Sequence, residues 1–227
     1  MKENRFLLTN LKWELNYDEE VKRLHVSEDD IDDFKEIFDK TVSLIKPVYY
    51  MGSERVQKND GHTLTLDGID FSSRVVCVNL EACEYVYPYV GTSGRAAYEY
   101  ALSLKDDLFA FWADALCEAA LRSASQSFNE YMKEFIGSDS IYYVNPGSVV
   151  DWNISQQAPL FELIGDVFEN TGIFLEKSFL MRPVKSSSGI IYKSDKHFAS
   201  CMLCARIGCP NRRAPFDKEM FDREYGE

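Results

Sequence analysis

Apolar residues recur at helical spacing in three stretches of the chain, residues 27–47, 95–135 and 160–172. Ser27, with an acid three residues later, marks the start of the first helix, and Pro47 marks its end. The second stretch is interrupted near residue 105 and predicts two helices. The later of these has the broadest apolar face, so we predict that it is the central helix, packed on a sheet. Gly172 predicts the end of the third stretch.

Short runs with strand character lie both before and after the long helical stretch. Because strands and helices do not alternate regularly, this order predicts an α+β fold, a single domain with a twisted, mainly antiparallel sheet packed with helices. Trp152 follows a Pro-Gly turn, and we predict that it is exposed. The predicted strands cover residues 48–51, 62–66, 74–80, 84–90, 141–144, 173–181 and 189–192.

Length and composition are those of a globular protein with one sizeable core. The 227 residues are 45% hydrophobic and 27% charged, and the net charge of −12 argues against a nucleic-acid-binding protein. No apolar run approaches the roughly 20 residues that span a bilayer, and the N-terminal residues lack the pattern of a signal peptide. We therefore expect a cytoplasmic protein that binds neither membrane nor nucleic acid.

Positive charge is concentrated in residues 177–213. This segment holds eight Lys or Arg residues and one acid, Asp195, which gives +7 and leaves −19 for the rest of the chain. One interpretation is a solvated basic face. The other is a positive surface that holds an anionic ligand, a thiolate-bound metal centre or an acidic partner protein.

Three of the six cysteines are clustered near the C-terminus. Cys201 and Cys204 form a C-x-x-C pair, Cys209 follows five residues later, and neighbouring arginines favour thiolates. This spacing predicts a metal centre, either a structural zinc or an iron–sulfur cluster that passes an electron. His197, Cys83 or an exogenous group would be the fourth ligand, and three free thiols are the alternative.

Two further features suggest a binding site. Asp114 and Glu118 are four residues apart on the predicted central helix and therefore project from one face. They are either a solvated acid pair or a binding site for a positively charged group. At 145–148 a Pro-Gly turn either simply reverses the chain or lets a ligand lie directly on the main chain at Gly147.

The segment 145–192 contains N-P-G, W, Q, L-F, M-x-P and S-x-S-G in that order, and residues 113–119 read A-D-A-L-C-E-A. Together they resemble the reactivation domain of cobalamin-dependent methionine synthase, and more closely the short stand-alone relatives of that domain. The resemblance runs from about residue 75 to residue 198. It implies a C-shaped domain that binds S-adenosylmethionine.

The resemblance also implies roles for individual residues. Glu118, supported by Asp114, would bind the positively charged part of S-adenosylmethionine. Of the family's R-x-x-x-G-Y turn only Gly147 is retained, because Tyr143 stands at the arginine position and Ser148 at the tyrosine position. Arg182 or Lys185 would then replace the arginine that pairs with the cofactor's carboxylate. The remaining expected contacts are Asn145, Ile191 and Tyr192.

The function implied is that of an accessory protein or subunit in a cobalamin-dependent methyltransferase system of the methionine synthase type. It would serve reductive reactivation of cobalamin held by a partner corrinoid-binding methyltransferase, with S-adenosylmethionine as methyl donor and a separate electron donor. The cysteine centre would then be a route for the electron. The chain contains no D-x-H-x-x-G motif for binding cobalamin itself.

The alternative is a non-catalytic module that binds or assembles a corrinoid protein. In that case the fold is retained, the altered turn no longer binds the methyl donor, and a structural metal holds the tail. In both cases residues 1–198 are predicted to form the activation-like domain and residues 199–227 a cysteine-containing tail.

Overall fold

The computed structural model describes residues 4–209 and 212–226. Capping side chains define several helix starts. Asn16 and Asp217 each accept a hydrogen bond from a backbone N–H three residues on, and Asp106 accepts from the N–H groups of Leu108 and Phe109. The helices of the described residues are α1 Tyr17–Arg23, α2 Ile31–Leu44, α3 Arg74–Asn79, α4 Arg95–Ser103, α5 Asp107–Ile136, α6 Gln157–Ile164, α7 Val167–Thr171 and α8 Lys218–Tyr225.

The strands form one eight-stranded sheet and a two-stranded ribbon within the described residues, and every pairing is antiparallel. The large sheet contains β1 Arg5–Leu8, β2 Val48–Gly52, β3 Glu54–Asn59, β4 Thr63–Leu66, β5 Ile69–Ser72, β6 Tyr85–Thr92, β7 Ile141–Val144 and β10 Ser186–Lys193. The ribbon pairs β8 Phe174–Leu175 with β9 Met181–Arg182.

Strand β6 is the centre of the sheet. It pairs with β10 along residues 87–92, with β2 along residues 89–92, and with β3 at residues 85–86. Strand β10 in turn pairs with β7. This arrangement confirms the predicted α+β class with a mainly antiparallel sheet in a single domain.

Both faces of the sheet are buried, because alternate residues of a strand point to opposite sides. On β10, Ile190 and Tyr192 belong to the larger core, whereas Ile191 packs on the other face. On that second face the C-terminal half of α5 covers the sheet with Ala124, Phe128 and Met132. The N-terminal half of α5 packs against α2. The helix predicted to be central therefore is central.

Four local predictions are wrong. The strand predicted at 74–80 is instead helix α3 and the residue after it. Ser73 caps this helix by accepting a hydrogen bond from the N–H of Val76, and Asp151 accepts one from the N–H of Val75. Trp152 is fully buried in the larger core. The third helical stretch is divided into α6 and α7 at Gly165. The strand predicted at 173–181 is not continuous, because only residues 174–175 and 181 belong to strands, those of the short ribbon.

The C-terminal segment packs on the same core as the rest of the chain. Leu203 is buried among the residues of the larger core, and Met220, Phe221 and Tyr225 pack against it. The predicted boundary after residue 198 stays a prediction. No helix in the described ranges has the length and apolar character needed to cross a membrane.

Candidate functional site

A cavity of about 530 Å³ lies between α5 and the second face of the sheet. Aromatic rings from β2, β6, β7 and α5 form much of its wall, and amide and hydroxyl groups lie among them. Its lining residues are Tyr49, Tyr89, Arg122, Ser125, Gln126, Phe128, Asn129, Tyr143, Asn145, Ser187 and Arg213. We call this the α5 cavity. It contains apolar surface, hydrogen-bonding groups and two cations, the composition expected of a small-molecule site.

Two glycines make room for the floor of the α5 cavity. A Cβ on Gly91 would collide with the ring of Tyr49, which lies directly over that position. A Cβ on Gly189 would stand 2.5 Å from Nδ2 of Asn145 and would also collide with the carbonyl oxygen of Val144. Gly189 is the glycine of the S-x-S-G motif. Its role in this chain is therefore to let the Asn145 side chain pack against the sheet.

Hydrogen bonds fix the polar groups of the wall. The amide of Asn145 donates to Tyr89 Oη at 3.0 Å and to the carbonyl oxygen of Ser188 at 2.7 Å. Tyr143 Oη donates to Asn129 Oδ1 at 2.9 Å. Burial raises the pKa of the Tyr89 and Tyr143 hydroxyls, so both stay neutral donors or acceptors at physiological pH. The wall is therefore preorganised, with little side-chain freedom left to lose on binding.

The predicted acid pair lies on α5 before the cavity-lining Arg122, with Glu118 one turn and Asp114 two turns away from it, and neither acid lines the cavity. Lys185 Nζ is 2.9 Å from Asp114 Oδ2 and 3.5 Å from Glu118 Oε2, and Arg122 Nη2 is 3.0 Å from Glu118 Oε1. Burial alone would lower the pKa of Lys185, but the two carboxylates outweigh it and the pKa is raised. Both carboxylates remain 44% exposed. They can approach a positively charged ligand group only in competition with Lys185 and Arg122.

The other residues predicted to contact the ligand do not lie together. Tyr143 and Asn145 line the α5 cavity, and Ile191 is buried in the cluster that contains Tyr49, Tyr89 and Phe128. Tyr192 faces the larger core on the opposite side of the sheet. Gly147 has φ +82° and packs closely on Ile154.

Ser148 closes the turn at Gly147 by donating to the carbonyl oxygen of Asn145 at 2.6 Å. Neither Gly147 nor Ser148 is among the residues that line the α5 cavity. The suggested replacements for the family arginine also lie elsewhere. Arg182 pairs with Glu176 at 2.8 Å, and Lys185 holds the acid pair.

The three clustered cysteines are not arranged as a metal site. Within residues 4–209 and 212–226, no group of three or more His, Cys, Asp or Glu side chains is placed to hold a metal ion. Cys201 instead accepts a hydrogen bond at 3.4 Å from the backbone N–H of Arg213. The zinc or iron–sulfur centre expected at Cys201, Cys204 and Cys209 therefore stays a prediction.

Arg212 organises this cysteine segment by hydrogen bonds alone. Its guanidinium donates to the carbonyl oxygens of Cys201 and Cys204 at 3.0 Å each, and of Ala214 at 3.2 Å. It also donates to the carbonyl oxygen of Arg206. The next residue, Arg213, lines the α5 cavity.

A second cavity, of about 420 Å³, lies near Cys83 at the other end of β6. Its lining mixes acids such as Glu81 and Asp195 with Lys193 and Lys196. None of the residues predicted to bind S-adenosylmethionine lines it. The α5 cavity is the better candidate, because its aromatic rings and polar groups converge on one space.

A crystal structure of the MetH reactivation domain bound to AdoHcy has the same fold. The similarity has a TM-score of 0.57 at 16% identity and covers 82% of this chain and 70% of that chain. No protein-family model matches the chain, and no curated protein does. The likeness therefore establishes a distant fold relationship with the reactivation domain.

Sequence reasoning missed most of the wall of the α5 cavity. Tyr49 and Tyr89 come from strands that are distant along the chain and carry no motif. Arg122 is four residues after Glu118, and this i, i+4 spacing is a signal that could have identified it. Arg213 lies in the basic segment that the charge count singled out, but nothing in the sequence distinguishes it from the neighbouring arginines.

Proposed function

We propose that this protein is an accessory component of a corrinoid-dependent methyltransferase system of the methionine synthase type, and that it binds S-adenosylmethionine in the α5 cavity. The observation that carries the proposal is this cavity, which joins α5 to the strand end at Tyr143 and Asn145 in a fold shared with an AdoHcy-bound reactivation domain.

The residues of the cavity suit the parts of this ligand. The rings of Tyr89, Tyr143 and Phe128 offer aromatic surface for a purine. Guanidinium groups are the preferred partners of a carboxylate, and Arg122 and Arg213 supply them. A sulfonium group carries positive charge and would be favoured towards Asp114 and Glu118.

On this proposal a partner protein would hold the corrinoid and a separate reductant would supply the electron that it needs. Bound S-adenosylmethionine would supply the methyl group, and because its sulfur would keep the bonding electron pair, S-adenosylhomocysteine would be left. The contribution of this chain is to hold the donor in position and to balance its charges.

The experiment is a calorimetric titration of the protein with S-adenosylmethionine and, separately, with S-adenosylhomocysteine. The two ligands differ at the sulfur, which is charged only in the first. We expect micromolar binding of both. Glu118→Gln should weaken S-adenosylmethionine binding by about three- to tenfold and S-adenosylhomocysteine binding much less, because only the sulfonium is attracted to the carboxylate.

Glu130→Gln is the matched control. It removes the same charge from an exposed position on α5 that, unlike Glu118, pairs with neither Lys185 nor Arg122 in the described residues, and it should change neither affinity. Equal weakening of both ligands by Glu118→Gln would show that the carboxylate does not recognise the sulfonium. No binding of either ligand would reject the methyl-donor role.

The alternative function is a non-catalytic module that binds or assembles a corrinoid protein. One observation favours it, namely that the carboxylates of Asp114 and Glu118 are already neutralised by Lys185 and Arg122. The alternative predicts that neither ligand binds while complex formation with the corrinoid protein persists. Size-exclusion chromatography of the two purified proteins would test that second part.

A further inference from the structure

The cations of the α5 cavity are not balanced by acids. Among the described residues that line it there is no aspartate or glutamate, whereas two arginines, Arg122 and Arg213, line it. Arg122 is already paired with Glu118 at 3.0 Å. Arg213 forms no ion pair with any carboxylate in the described ranges. Burial acts to raise the pKa of Cys201, but hydrogen bonds from Arg213 and Ala214 and the positive charge of Arg213 lower it, so the guanidinium lies near this thiol. Within the described residues, a ligand carboxylate would compete with this thiol for Arg213 and with no acidic side chain.

Arg213 reaches the cavity because the C-terminal segment is fixed on both sides of it. On one side, the guanidinium of Arg212 joins four backbone carbonyl oxygens, those of Cys201, Cys204, Arg206 and Ala214. On the other, the N–H of Asp217 donates to the carbonyl oxygen of Met202 at 2.8 Å, and α8 packs on the larger core. The position of Arg213 thus follows from packing and hydrogen bonds.

The guanidinium is close to the aromatic wall. The positive charge of Arg213 acts to lower the pKa of the Tyr89 and Tyr143 hydroxyls, although burial is larger and the net pKa of each is raised. Asn145 and Ser187 line the same space. A ring bound against these tyrosines would therefore place an attached anionic group within reach of Arg213.

We infer that the C-terminal segment supplies the anion-binding group of the α5 cavity, with Arg213 holding the carboxylate of a ligand whose ring system packs on the tyrosine wall. This inference rests on the proposed function and deepens it. It assigns specificity for a nucleoside that carries an amino-acid carboxylate over the same nucleoside without one.

The test compares two thioether nucleosides, S-adenosylhomocysteine and 5′-methylthioadenosine, which lacks the amino-acid portion. The full chain and its Arg213→Gln variant are titrated with each by calorimetry. We expect Arg213→Gln to weaken S-adenosylhomocysteine binding at least tenfold and to change methylthioadenosine binding less than twofold. A charge-assisted, bidentate contact is lost in the first case and was never made in the second.

Arg206→Gln is the matched control, because Arg206 is an exposed arginine of the same loop and does not line the cavity. It should change neither affinity. Arg213→Lys keeps the charge without the fork geometry and should recover part of the tenfold loss. Thermal unfolding of each variant shows that the loop is still packed.

Each outcome decides the matter. Unchanged binding of S-adenosylhomocysteine by Arg213→Gln, or equal weakening of both ligands, overturns the role of Arg213 and leaves the proposed function in place. Equal affinity of the unmodified protein for the two nucleosides would likewise overturn the role of Arg213 and leave the proposed function in place. Failure of the unmodified protein to bind either nucleoside overturns both the inference and the proposed function.

Discussion

The side-chain amide of Asn145 occupies the space that a Cβ on Gly189 would need, with Nδ2 2.5 Å from that position. The same amide joins Tyr89 to the carbonyl oxygen of Ser188. The glycine and the asparagine therefore work as a unit that joins β10 to the wall of the α5 cavity.

We expect Gly189→Ala to destabilise the protein by about 1–3 kcal/mol, because the added methyl group displaces Asn145 and meets the carbonyl oxygen of Val144. Asn145→Ala should cost about 1–2 kcal/mol through its two lost hydrogen bonds. The double variant should cost less than the sum of the two, since Asn145→Ala removes part of the steric conflict. Urea unfolding of the three variants measures this, and strict additivity would contradict the coupling.

The ion pairs of Lys185 predict how the free energy of unfolding depends on pH. The folded-state pKa of Lys185 is raised above its ordinary value, so its stabilising effect is complete below the unfolded-state pKa and is lost as pH rises through the folded-state pKa. Lys185→Gln should cost about 1 kcal/mol at pH 7. The difference in free energy of unfolding between the two proteins should shrink only above about pH 10.

Denaturant unfolding of both proteins between pH 7 and pH 11 tests this. Lys35→Gln is a suitable control, because the Lys35–Asp39 pair is exposed on α2 and should contribute little. A difference that grew towards alkaline pH would contradict the predicted sign.

Tyr143→Phe should lower stability by about 1 kcal/mol, because it leaves the partly buried Asn129 Oδ1 without its donor. The neighbouring Tyr142 points to the other face of β7, and no described residue hydrogen-bonds to its hydroxyl. Tyr142→Phe should therefore be nearly neutral. Thermal unfolding of the pair measures the difference, and equal losses would show that the Tyr143 hydroxyl is not specifically held.

Rates of cysteine alkylation distinguish the effect of a raised thiol pKa from the effect of burial of the side chain. Burial raises the pKa of both Cys77 and Cys83 to about 11, but Cys77 is fully buried and Cys83 is only half-buried. Cys83 should react slowly with iodoacetamide near pH 7.5 and about tenfold faster per pH unit up to roughly pH 10, as the thiolate fraction rises. Cys77 should stay unmodified until the protein unfolds. Peptide mass spectrometry gives both rates, and a Cys83 rate independent of pH would contradict the prediction.

Local pattern predicts the long helices well, because a single apolar face at helical spacing leaves few alternatives. Helix α5, and the break near residue 105 that separates it from α4, follow from the sequence for this reason. The run at 74–80 does not, because its valines favour a strand and only tertiary contacts reverse that preference. Ser73 and Asp151 cap the segment as a helix, and Asp151 is 76 residues away from Val75.

The candidate site is predictable only in part for the same reason. Tyr143 and Asn145 lie in a recognisable motif. Tyr49 joins them through strand register, in which it pairs with Gly91, and no local pattern encodes that register. Arg213 requires the packing of the whole C-terminal segment.

The lining of the α5 cavity extends from Tyr49 to Arg213 and so draws on residues that are far apart along the chain. A molecule held there would bind only while the whole domain is folded, and its affinity would add to the resistance of the domain to heat. At a hundredfold excess over its dissociation constant it would contribute about 2.7 kcal/mol. A rise in melting temperature is therefore a direct readout for screening nucleosides and amino acids against this protein.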